Sequence, residues 1–80
     1  MPCLSGYRYC GPDCSGPGPP TNKLDSICME HDACYRKYGS TNTICDQVFL
    51  NRLSPYLNLQ NELGRDARLM FRAIRLKRLF

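Results

Sequence analysis

Hydrophobic and polar positions along the chain mark three helical stretches separated by short polar breaks. The first is predicted from about Lys23 to Tyr38, with Thr21 or Asn22 as its cap and Gly39 as its stop. Cys28, His31, Asp32 and Tyr35 fall at i, i+3, i+4 and i+7 within it, which is one helix face. The polar turn Ser40-Thr41-Asn42 follows, and Asn42 or Thr43 can cap a second helix from about Thr43 to Leu53. Cys45, Val48, Phe49 and Leu53 give that helix its spacing. So short a connection makes the two helices antiparallel neighbours. Ser54-Pro55 breaks the second helix and can start another. Residues 55–80 read as helix, weakened or kinked at Gly64. From Arg65 onward, Ala67, Met70, Phe71, Ile74 and Leu76 are set against Arg68, Arg72, Arg75 and Arg78, the pattern of a basic amphipathic helix.

The segment before the first helix has another character. Met1 to Tyr9 reads as short and extended. Cys10 to Pro20 holds three glycines and four prolines in eleven residues, which excludes helix and central strand. Two cysteines inside this loop argue against a loose tether. A cross-linked Gly/Pro loop is rigid, and it can turn backbone carbonyls inward as ligands for a hard cation.

Eighty residues make a single small domain that needs staples, and six cysteines answer that need. They allow about 15 pairings and point to an oxidising setting. Met1 to Tyr9 has no apolar run of signal-peptide type, and no 18-residue apolar stretch is present. The expected location is secreted or extracellular, reached after removal of a signal or by another route; release on lysis or a place on a particle surface would also fit.

The net charge of +4 is unevenly placed. Residues 1–61 balance Arg8, Lys23, Arg36, Lys37 and Arg52 against Asp13, Asp25, Glu30, Asp32 and Asp46. Residues 62–80 carry the excess, with Arg65, Arg68, Arg72, Arg75, Lys77 and Arg78 against Glu62 and Asp66. A neutral body with a basic end suits an acidic partner, either anionic lipid or nucleic acid. Few aromatic residues interleave the arginines, so nucleic acid is not expected. The apolar stripe of the last helix either packs on its own domain or lies on a membrane surface, and both can hold at once.

The chain has a single histidine, His31. A lone histidine is more often structural than catalytic, but this one has Asp32 beside it and a cysteine three residues to either side. If Cys34 bridges Cys45, residues before Cys34 face residues after Cys45, which sets His31 opposite Asp46 to Phe49. Asp46 is then the natural second carboxylate for the imidazole. Its place in the first turn of a helix has a plainer reading, as a complement to the helix dipole.

Tyr9-Cys10-Gly11, the Gly-rich loop, Leu24-Asp25, Cys28-x-x-His31-Asp32-x-Cys34-Tyr35 and Cys45-Asp46 together resemble secreted phospholipase A2. The likeness runs from about Tyr9 to Leu53 and is to the compact members from microbes, viruses and invertebrates. It implies a mainly α, disulfide-stapled domain with a Gly/Pro-rich calcium loop at 9–22 and two antiparallel core helices, to which the charge and spacing pattern adds the basic amphipathic C-terminal helix. It implies Ca²⁺-dependent hydrolysis of the sn-2 ester of glycerophospholipids at a membrane surface; separately from the resemblance, a monomer is expected. His31 would be the general base that activates water, Asp46 would orient it, and Tyr35 would support Asp46. Asp32 and the carbonyls of Tyr9, Gly11 and Asp13 would hold Ca²⁺, and the Gly11 amide would add a hydrogen bond to the oxyanion. The resemblance further implies that Cys10 pairs with Cys28 and Cys34 with Cys45, leaving Cys3 and Cys14 for each other.

The departures are specific. Asp13 stands where the family usually has glycine, and Ile27 replaces a usual cysteine. The loop before Leu24 looks longer than in vertebrate enzymes, and an N-terminal helix and β-wing are missing. Residues 56–80 match no motif. Two other readings compete: a catalytically weak relative that perturbs anionic membranes through its basic helix, and a zinc module using Cys28, His31 and Cys34 as reduced ligands.

Overall fold

The computed structural model describes residues 3–11, 14 and 16–76. Helix α1 spans Lys23–Tyr38, α2 spans Thr43–Leu53, a single 3-10 turn covers Ser54–Tyr56, and α3 runs Glu62–Leu76. Both early helices start where their caps predict. Asn22 accepts from the Asp25 N–H, and Asn42 accepts from the Ile44 N–H. Gly39, at φ 94°, closes α1 by donating its N–H to the Tyr35 carbonyl.

The α1–α2 pair is antiparallel. Tyr35 meets Asp46 near the connection, and Glu30 meets Arg52 one turn and more away from it. The Cys34–Cys45 disulfide locks this register. Cys10–Cys28 ties the loop to α1, and Cys3–Cys14 closes the loop on itself. All six cysteines are therefore oxidised, which removes the zinc-module reading.

Leu24, Ile27 and Cys28 of α1, Phe49 and Leu53 of α2, and Ala67, Met70 and Ile74 of α3 form one buried cluster. Burial of a side chain the size of Phe49, Leu53 or Met70 stabilises the fold by about 1.5–3 kcal/mol. Met70 Sδ lies 4.0 Å from Cys28 Sγ, so α3 reaches the disulfide that anchors the loop. The apolar stripe of α3 thus packs on its own domain, and the arginines stay outside.

The third helical segment differs from its sequence reading. A helix does not run from Pro55; one turn forms, and the helix begins at Glu62. Arg68 explains the interruption. Its guanidinium donates to the carbonyls of Leu57 and Leu59 at 2.9 and 3.0 Å, taking acceptors that a continuous helix would use itself. Asn61 starts α3 anew, its side chain accepting from the Gly64 N–H at 3.0 Å. Nor is Gly64 a kink: a Cβ there would stand 2.0 Å from the Leu59 carbonyl oxygen, so glycine is what lets the turn lie against the helix. Lys77 and Arg78, with the rest of 77–80, lie outside the described residues. Tyr7 donates to Asp66 at 2.7 Å, joining the N-terminal segment to α3. Burial, reinforced by the Asp66 carboxylate, pushes the Tyr7 phenol up to about 12.

Candidate active site

His31 is buried at 5 % exposure, an uncommon state for an imidazole in so small a domain. Its position follows from the α1–α2 register. The ring sits between Tyr35, one turn on in α1, and Phe49 of α2, with centroids 4.1 and 4.3 Å away. Nε2 lies 2.9 Å from Asp46 Oδ1, and the Tyr35 hydroxyl donates to that same oxygen. A carboxylate only accepts, so its charge calls for the imidazole proton on Nε2. The lone pair then belongs to Nδ1. The structure thus brings His31, Asp46 and Tyr35 into one hydrogen-bonded group, with the aromatic rings holding the imidazole in place. A cleft of about 130 Å³ adjoins His31, walled by Ile27, Val48, Phe49 and the Cys34–Cys45 bridge.

Asp32 follows His31 on α1 and stands one turn beyond Cys28. One of its carboxylate oxygens, Oδ2, is buried with no hydrogen-bond partner. Burial pushes the Asp32 carboxyl up to about 7, against the pull of Arg36 and with some help from the Asp25 charge. A buried carboxylate oxygen with no partner costs stability and is suited to a bound cation. Cys10–Cys28 pins residues 9–11 to this same face of α1. Leu4 donates to the Cys10 carbonyl, whereas no described group donates to the carbonyls of Tyr9 or Gly11. Gly11 is buried at φ 132°, a conformation that side chains rarely adopt. No cluster of three or more His, Cys, Asp or Glu side chains forms among the described residues. A hard cation does not require one, since a single carboxylate with backbone carbonyls is an accepted donor set. The residues present therefore fit Ca²⁺, with Asp32 as the side-chain donor. Asp13 lies outside the described residues.

Asp25 is the residue the sequence reading undervalued, since it served there only as part of a motif. It is fully buried, and its two oxygens accept from the backbone N–H groups of Arg8, Tyr9, Cys10 and Thr21 at 2.8–3.2 Å. Burial alone would raise this carboxyl, but the four amides outweigh it and hold the group below the usual carboxylate range. One carboxylate thereby folds residues 8–10 against the N-terminus of α1. Side chains finish the loop: Tyr9 donates its hydroxyl to the Gly18 carbonyl at 2.5 Å, and Arg8 donates to Pro19 at 3.0 Å. A Cβ on Gly16 would meet the Tyr9 hydroxyl at 2.9 Å, so only a glycine leaves room for the tyrosine there. A carboxylate in the first turn of a helix, following a loop rich in glycine, was the available signal. The long-range partners were not.

Sequence comparison agrees with this geometry. The family model described as "Phospholipase A2-like domain" matches residues 2–72. A curated relative, Capsid protein VP1 of Diatraea saccharalis densovirus, is 36% identical over 52 residues. That match covers 61% of this chain and 6% of the capsid protein, so the chain spans a small part of that relative's length. No solved structure matches. The family match extends past α2 into α3, beyond the stretch whose motifs carry the resemblance. With a buried His31 bonded to Asp46, a partnerless Asp32 oxygen and a family model that matches residues 2–72, this protein belongs to the phospholipase A2-like domain family.

Proposed function

We propose that the protein hydrolyses the sn-2 ester of glycerophospholipids at a membrane surface in a Ca²⁺-dependent reaction. The observation that carries this reading is the pairing of two features on one helix: an imidazole held by a carboxylate, and a neighbouring buried carboxylate oxygen without a partner.

His31 takes a proton at Nδ1 from a water that attacks the ester carbonyl carbon. Asp46 keeps the other ring proton on Nε2, orients the ring, and stabilises the imidazolium as it forms. Tyr35 holds the Asp46 oxygen in place through its hydroxyl. Tyr35 and Phe49 exclude water from the ring faces, so the imidazole has one productive orientation. The imidazolium then returns its proton to the departing glycerol oxygen. Asp32, with the carbonyls of Tyr9, Gly11 and Asp13, would hold Ca²⁺, which when bound polarises the ester carbonyl and offsets oxyanion charge. The Gly11 amide supplies a further donor to that oxygen.

Three disulfides suit an oxidising location, either outside a cell or, as the capsid relative's name suggests, on a particle. No helix among the described residues is long and apolar enough to cross a membrane. The test is a Ca²⁺ titration of wild type against Asp32→Asn, followed calorimetrically. Wild type is expected to bind one Ca²⁺ and Asp32→Asn to bind at least about tenfold more weakly. Equal affinities would remove Asp32 from the ligand set.

A further inference from the structure

A second concave surface shares no residue with the His31 cleft. It is a groove of about 680 Å³ between the 57–58 segment and α3, floored by Leu57, Phe71 and Leu76 and edged by Arg68, Arg72 and Arg75. The three arginines recur at i, i+4 and i+7, so they line one side of the helix. No acidic residue lines the groove, and among the described residues Arg72 and Arg75 enter no ion pair. Arg68 is fixed by its two carbonyl acceptors, so it stands in place beside the apolar floor before any ligand arrives. Leu76 is 59% exposed, an apolar side chain held in water at the end of the groove.

Two chemistries meet here, and they select the occupant. Guanidinium groups match the oxygens of a phosphodiester, and an apolar floor beside them matches an aliphatic chain. A nucleic acid offers phosphates without the chain, and the single aromatic ring of the groove, Phe71, is half-buried in the protein's own core. We infer that the groove between the 57–58 segment and α3 binds one anionic phospholipid of the membrane surface, its phosphate on Arg72 and Arg75 and its acyl chain against Leu57, Phe71 and Leu76. The site is an anchor separate from the His31 cleft. It rests on the proposed lipid function only in supplying the surface on which that reaction would occur.

Arg65 is the internal control. It carries the same charge on the same helix, but it faces Glu62 at 3.6 Å and lies outside the groove. The experiment is co-sedimentation with vesicles of phosphatidylcholine, with and without phosphatidylglycerol, alongside hydrolysis of a short-chain phosphatidylcholine dispersed below its micellar concentration. Wild type should sediment with the mixed vesicles. Arg72→Gln/Arg75→Gln should weaken that binding about thirtyfold, each arginine near an anionic surface being worth a factor of about five. Leu76→Ser, which changes no charge, should weaken it about fivefold through lost apolar contact. Arg65→Gln should change it less than about twofold, and all three variants should hydrolyse the dispersed substrate as wild type does. A loss from Arg65→Gln as large as that from Arg72→Gln/Arg75→Gln, no loss from Leu76→Ser, or tighter binding of wild type to single-stranded RNA than to mixed vesicles would each overturn the proposal. Absence of hydrolysis in every arm, with the binding pattern intact, would sink the enzyme reading and leave the groove standing.

Discussion

The α1–α2 pair and the segment from Ser54 to Leu76 are both helical, yet they are held by opposite means. The pair is cross-linked by Cys34–Cys45, tied to the loop by Cys10–Cys28, and carries ionisable groups at its centre: His31, Asp46 and Asp32. The later segment has no disulfide. It is held by Ala67, Met70 and Ile74, by the Tyr7–Asp66 hydrogen bond, and by Arg68 on its own preceding turn. Buried polar groups are costly, and covalent staples can hold them in one geometry where a small core would not. The paired and partly buried ionisable groups sit in the stapled half. The half that is merely packed presents charge to the outside.

The largest effect should come from the centre of the stapled half. His31→Asn is expected to lower sn-2 hydrolysis by about a thousandfold, with urea unfolding shifted by only about 1 kcal/mol. Loss of both in equal measure would mean that His31 is structural and would erase the contrast between the halves.

Asp25→Asn should come next, in stability. Removing the charge that four backbone amides share is expected to cost about 3 kcal/mol in denaturant unfolding with disulfides intact. The pH dependence follows from the same group. Its folded carboxyl lies below the unfolded value of about 3.9, so the unfolded chain takes up the proton first. The stabilisation is full above that value and is lost as pH falls through the lower folded one. Wild type should therefore lose stability on acidification below about pH 4, and Asp25→Asn should show a flatter acid limb. An unchanged limb would mean that the loop is held by its disulfides alone.

Gly64→Ala tests the packed half. A methyl group 2.0 Å from the Leu59 carbonyl forces the 57–61 turn off α3, at an expected cost of about 2 kcal/mol. Hydrolysis of a dispersed short-chain lipid should survive, since the variant is remote from the stapled pair. Smallest of all is Glu30→Gln. Its bridge to Arg52 is about half exposed on both sides, so less than about 1 kcal/mol should be lost.

The two halves were also unequally readable from sequence. Around α1 and α2 the signals are local: Asn22, Gly39 and Asn42 mark ends within a residue or two of the pattern they bound, and both helices fall where spacing and caps place them. The His31–Asp46 contact was readable because a short turn and a disulfide leave one register. Pro55 misled, because a proline suited to a first turn says nothing about whether the next turn follows. Arg68, eleven and nine residues on, captures the carbonyls that decide it. Asn61 was the local sign that a new helix starts there. The role of Asp25 and the buried oxygen of Asp32 depend on how a loop without regular structure folds back, which no periodicity encodes.

The most direct test of the central claim is release of fatty acid from the sn-2 position of mixed phospholipid vesicles by disulfide-intact protein, with Ca²⁺ and with excess chelator. Release with Ca²⁺ that stops on chelation is the predicted result. Release of equal size with chelator present, or none from folded protein in either condition, would contradict a His31–Asp46 pair working beside a cation held by Asp32.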